Sequence, residues 1–153
     1  MSTIVFVCTG NTCRSPMAAA LTEAIFKQQG IHATVLSAGV AAGSPSPASK
    51  NAIRAMRDDK IDIKRHRSTQ VTIDFLQGAD LILALTSSHL DAVMYMHPKA
   101  NAFTLGEFSG LGGDVSDPFG GDIAIYRECA AQIKKMIESV DIEKWKTISK
   151  EDI

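Results

Sequence analysis

VFVCTGNTCRSP, residues 5–16, decides the architecture. A run of β-formers ends in Cys8, and small polar residues lead to Cys13, Arg14 and a serine-proline step. Thr3 to Val7 is short, apolar and β-branched, the pattern of a buried parallel strand. Ser15-Pro16 reads as an N-cap with proline at the first helical position. From Met17 a stripe through Leu21, Ala24, Ile25 and Gln28-Gln29 reads as helix, ending at Gly30. The stretch is therefore strand, tight turn, helix.

Outward from it the alternation continues. His32 to Val40 is a second strand, and AAGSPSPAS is a loop leading into a helix across Asn51 to Asp58. IDIKRHRSTQVT is irregular and basic, and Ile73 to Gly78 is a short helix. Asp80 to Leu85 is a third strand, after which Ser87-Ser88 caps a helix running to Met96. Ala102 to Leu105 is a fourth strand. GEFSGLGGDVSDPFGG is a glycine-rich loop. One last helix runs from Ile123 to Trp145, with Tyr126, Ala130, Ile133, Ile137 and Val140 on one face. The tail TISKEDI is expected to fray. Strands alternating with helices predict one α/β domain over residues 1–153, a four-stranded parallel twisted sheet with helices on both faces. Ligands of such sheets bind beyond the carboxyl ends of the strands, where the opening stretch and the glycine-rich loop both lie.

The chain has 153 residues, 45% hydrophobic and 22% charged, with a formal net charge of -1. That balance points to neither nucleic acid nor an anionic membrane. The start has no basic n-region and no long apolar run, so no export signal or membrane span is expected. Three cysteines then suit free thiols in a reducing cytoplasm. The spacings C-x2-C and HExxH are absent, so neither metal nor cofactor is expected.

Between Cys8 and Arg14 lie Thr9, Gly10, Asn11, Thr12 and Cys13. A loop of this length between strand and helix can curl its N–H groups inward as an anion nest, aided by the positive end of the helix dipole. Arg14 adds a bidentate clamp for a tetrahedral oxyanion. Cys8 at the base of the nest is the candidate nucleophile, with a thiol expected to be depressed by the same donors. Asn11 can take a left-handed conformation, and Ser15 can donate its hydroxyl to the sulfur. A Walker A loop and a GxGxxG motif are both excluded. Cys13 has two readings, a redox partner able to bridge to Cys8 or a packed small residue. Cys129 reads as inert core. Acid–base work falls to Asp117, although Asp-Pro also starts turns and Asp114 or Asp122 could be helix caps. Phe119 is either a wall at the mouth or a plug under the last helix.

VCTGNTCRSPMA, the SAGV after the second strand and the late DPFGG resemble the low-molecular-weight protein tyrosine phosphatases, over most of the chain. The resemblance implies a phosphocysteine on Cys8, phosphate binding by residues 9–14, acid–base work by Asp117, and support from Asn11, Ser15 and Ser37. It also points to His66, near the loop asparagine, though the KRHR run reads equally as a solvated face. His32, His89 and His97 read as surface or capping residues. Two departures bear on the substrate. Thr12 stands where tyrosine-specific members commonly carry an aliphatic residue, and Phe119 is followed by Gly120-Gly121 rather than a second aromatic. Both resemble the bacterial branch that removes phosphate from arginine. A phosphoguanidinium suits a polar wall and a carboxylate better than an aromatic slot. The expectation is a monomeric protein-arginine phosphatase acting on phosphorylated proteins. A tyrosine phosphatase, a thiol-dependent arsenate reductase and a non-catalytic phosphate-binding module are the alternatives.

Overall fold

The computed structural model describes residues 1–149. Four strands, β1 (Thr3–Cys8), β2 (Thr34–Gly39), β3 (Leu81–Ala84) and β4 (Ala102–Thr104), form one parallel sheet in the order β2-β1-β3-β4. The helices are α1 (Arg14–Gln29), α2 (Lys50–Asp58), α3 (Ile73–Gln77), α4 (Ser87–Met96), α5 (Leu105–Ser109), α6 (Ile123–Ser139) and α7 (Ile142–Ser149).

The two-residue period of β1 divides the core. Ile4, Phe6 and Cys8 join Leu81 and Leu83 beneath α1, α2, α5, α6 and α7, whereas Val5, Val7 and Ile82 pack under α3 and α4. The helices therefore cover both faces, and the nucleophile candidate lies on the more heavily covered one. Trp145 closes that side, its ring 5.1 Å from Phe26 and 5.3 Å from Phe108. No helix among the described residues is long and apolar enough to cross a membrane.

Strand and short-helix ends shift by a residue or two, and four further boundaries differ from expectation for local reasons. α1 begins at Arg14, so Ser15 lies inside it and does not cap it. Thr86, not the Ser87-Ser88 pair, caps α4 by accepting from the His89 N–H. The segment after β4 is not all loop: Thr104 accepts from the Glu107 N–H and starts α5. The last helix is two, because Val140 turns extended and Asp141 accepts from the Glu143 N–H to begin α7. The buried stripe from Tyr126 to Val140 nevertheless holds. The tail expected to fray from Thr147 is instead helical through Ser149, at the end of α7, and from Lys150 onward lies outside the described residues.

Candidate active site

β1 ends at Cys8, and the chain curls through Thr9–Cys13 into α1. Asn11, at φ 59, supplies the left-handed turn. Every polar group of Asn11 is engaged. Its N–H donates to Cys8 Sγ at 3.3 Å, and its Nδ2 donates to Ser15 Oγ at 2.7 Å and Ser37 Oγ at 2.9 Å. Its Oδ1 accepts from the Thr69 N–H at 2.9 Å, and its carbonyl accepts from His66 Nε2 at 2.7 Å. Ser15, Ser37 and His66 thus converge on the loop asparagine. The last bond puts a proton on His66 Nε2, while burial lowers the pKa of that ring.

Cys8 is buried, with Sγ 2.8 Å from Ser15 Oγ. Burial is the largest influence on its thiol and pushes it up, contrary to the depression expected from the loop alone. The Ser15 hydroxyl, the Asn11 amide and the Arg14 charge pull the other way. Cys13 is also buried. Its thiol lies 3.2 Å from Tyr126 Oη and donates to Ser49 Oγ at 3.6 Å. Cys129 is core, as read, with burial pushing its thiol up to about 12.

Arg14 is buried beneath the loop. Its Nη1 donates to the Val115 carbonyl at 3.0 Å, and its Nη2 to Thr9 Oγ1 at 3.4 Å. Asp117 Oδ2 lies 3.6 Å from the same Nη2, on a side chain 53% exposed. The glycine-rich loop reaches this position because the Val115 N–H pairs with the Leu85 carbonyl just past β3. Of the two other aspartates weighed as caps, Asp122 is the N-cap of α6, accepting from the Ile125 N–H, whereas Asp114 accepts from the Ser87 N–H and hydroxyl at the start of α4, which Thr86 caps. Asp117 is left facing the cleft, its Oδ1 accepting from the Phe119 N–H. Phe119 is 79% exposed, a wall and not a plug. Residues 8–14, Asp117 and Phe119 line one cleft of about 270 Å³, which includes Thr12. α1 begins at this cleft from Cys13 without any side-chain cap.

His89 departs from its surface or capping assignment. It is 4% exposed, and its ring bridges Thr9 Oγ1 at 2.8 Å and Thr86 Oγ1 at 2.9 Å. Thr9 Oγ1 accepts from Arg14 Nη2, so this one hydroxyl joins Arg14 to His89 Nε2. Burial and the Arg14 charge push this histidine down to about 4. Its partner Thr9 is 80 positions away, so the only sequence signal was its place just past a strand's carboxyl end.

The arrangement gives a sulfur, an anion nest, a guanidinium and a carboxylate around one small cleft, the parts of a covalent phosphoryl-transfer site. Known proteins are similar to this chain. The family described as low molecular weight phosphotyrosine protein phosphatase matches residues 3–151. A protein-arginine-phosphatase of Geobacillus stearothermophilus is 44% identical over 138 residues, 88% of this chain and 90% of that protein. The solved mutant of the YwlE arginine phosphatase with a phosphorylated active-site serine superposes with a TM-score of 0.84 at 39% identity, covering 90% and 91% of the two chains. A low molecular weight protein tyrosine phosphatase from T. tengcongensis gives a TM-score of 0.88, also at 39% identity, over 94% and 99%.

Proposed function

The chain belongs to the low molecular weight phosphotyrosine protein phosphatase family and is a cysteine-dependent phosphatase, and from that premise we propose that it hydrolyses phosphoarginine in proteins, with Cys8 as nucleophile. Substrate phosphate sits in the nest of residues 9–14, clamped by Arg14. Cys8 Sγ, as the thiolate, forms a bond to phosphorus as the phosphorus–nitrogen bond breaks. Asp117 gives its proton to the departing guanidine, then takes one from the water that cleaves the phosphocysteine. Ser15 stabilises the sulfur as nucleophile and as leaving group. Asn11, braced by Ser37 and His66, holds that hydroxyl in place.

The observation that carries the choice of arginine is the wall of the cleft. Thr12 and Phe119 line it with the reacting groups, and Gly120 follows where a second aromatic would enclose a phenol ring. A polar wall and an open side suit a guanidinium. The test compares kcat/KM on phosphoarginine and phosphotyrosine for the parent and Thr12→Ile. The parent is expected to favour phosphoarginine, and the variant to shift the ratio toward phosphotyrosine by about tenfold or more. Equal or better phosphotyrosine turnover, unmoved by Thr12→Ile, selects the tyrosine reading that the T. tengcongensis likeness favours. Loss of all turnover in Cys8→Ser with phosphate binding kept removes the non-catalytic reading.

Cys13 is assigned the redox role. An oxidant that takes two electrons would join Cys8 to Cys13 and stop turnover, and a thiol reductant would restore it. Recovery should be lost in Cys13→Ala; a Cys13→Ala enzyme that resists oxidant rejects this role. Cys129, buried with a raised thiol, is a poor third relay, which argues against arsenate reduction. A nucleophile that has to stay reduced suits the cytoplasm, and a monomer acting on phosphorylated proteins is the proposed working form.

A further inference from the structure

A second groove, about 600 Å³, shares no lining residue with the cleft. One wall is the small-residue face of α1, with Ala19 and Ala20; another is the outer edge of β2; the third is the loop from Lys60 to Thr69.

The β2 edge there is open. The Thr34 N–H pairs with Ser2 and the Val40 N–H with Cys8, so the even-numbered residues of β2 face β1. The odd-numbered ones face away. At Gly39 the outward groups are taken, its N–H by the Thr69 carbonyl and its carbonyl by the Val71 N–H. At Val35 and Ser37 the outward N–H and carbonyl have no partner among the described residues. Such an edge is a template for another strand.

The groove is cationic. Lys27, Lys60, Arg65 and Arg67 line it, and among the described residues none of them pairs with a carboxylate. Against them stand Glu23 and Asp62, the latter 4.0 Å from Lys64. The groove also lies against the brace of the anion loop. Ser37, His66 and Thr69, which bond to Asn11 Nδ2, carbonyl and Oδ1, all line it.

We propose that this groove takes an extended acidic segment of a partner protein as a fifth strand on β2, and that its occupancy is felt at the anion loop through Asn11. Unpaired N–H and carbonyl groups at alternate residues supply the main-chain pairing. The four cations select the charge. The strand that docks touches three of the groups that hold the one left-handed residue of the loop. The proposal stands whichever phosphorylated side chain the cleft accepts, since the two sites share no lining residue.

The test is an NMR titration of the whole protein with a blocked peptide alternating threonine and glutamate. Its controls are the same peptide with lysine for glutamate, and two versions N-methylated at alternate amides. Amide shifts are expected at Val35 and Ser37 and then at Asn11. One N-methyl pattern should abolish binding and the other preserve it. Lys27→Glu, Lys60→Glu and Arg65→Glu together should weaken the peptide about tenfold or more. Without peptide, the same variant should turn over a small phosphorylated substrate as the parent does, and saturating peptide should change the parent's kcat or KM. Shifts confined to residues 8–14 would mean that the peptide enters the cleft, and overturn the proposal. Equal binding of the lysine peptide, or of both N-methyl patterns, overturns it too. Edge shifts that grow with protein concentration alone would assign the edge to a second copy. Binding without any change at Asn11 or in turnover overturns the coupling.

Discussion

Ser15 Oγ sits between Asn11 and Cys8. It accepts from Asn11 Nδ2, and when Cys8 is a thiolate its hydroxyl is the donor across the 2.8 Å contact with Sγ. Ser15→Ala removes the largest influence that lowers the Cys8 thiol, so the midpoint of its alkylation by iodoacetamide should move to higher pH. Turnover should fall with it. His89 works from the opposite side, holding Arg14 through Thr9. Its ring is neutral in the fold, at about 4 against an ordinary value of 6.5. A histidine depressed in this way contributes stability that is present above pH 6.5 and is lost as the pH falls toward 4. The charges facing it are Arg14, which lowers it, and Asp114 and Asp117, which raise it. Urea midpoints should therefore drop more steeply on acidification in the parent than in His89→Gln. At pH 7 the variant should bind phosphate more weakly, because Arg14 loses its oriented acceptor. A His89→Gln protein with the parent's acid slope and phosphate affinity would reject the relay.

At the scale of elements, the loop is pressed between β1 and the end of β2. A Cβ on Gly39 would collide with the Thr9 carbonyl oxygen and lie 3.0 Å from the Asn11 nitrogen, both backbone atoms that cannot swing aside. Gly39→Ala should cost about 1–3 kcal/mol in denaturant unfolding. It should also lower activity more than that loss explains, because the displaced atoms belong to the anion nest. The strands and the long helices were legible in the sequence, because apolar runs and stripes are local. The boundaries that misled were set by competition. Ser15 looks like a cap, yet Cys8 and Asn11 recruit its hydroxyl. Three hydroxyl residues, Thr86 to Ser88, could each begin α4, and only the end of β3 selects the first. Thr104 and Glu107 carry the Thr-x-x-Glu signature of a helix start, obscured by Gly106 between them. The buried stripe of α6 runs unbroken to Val140, so the stripe alone gives no sign that the backbone turns there.

Across the whole molecule, the parts of the site close to Cys8 in the chain could be read directly, since strand, loop and helix carry them in order. Asp117 could be proposed from DPFGG, but its selection over Asp114 and Asp122 needed the fold, which spends those two on helix ends. The link from His89 to Thr9 depends on β3 lying beside β1, a fact of sheet order that no local pattern encodes. The aromatic contact of Trp145 with Phe26 and Phe108 likewise joins three separate elements. One feature ties the global fold to the cleft. α1 starts from Cys13, whose side chain makes no capping hydrogen bond. A bound oxyanion would complete that helix, so ligand affinity and folding free energy become linked quantities. Phosphate at about a hundred times its dissociation constant should add about 2.7 kcal/mol to unfolding. The melting temperature then becomes a gauge of site occupancy that needs no turnover, and one that Cys8→Ser should leave readable after catalysis is gone.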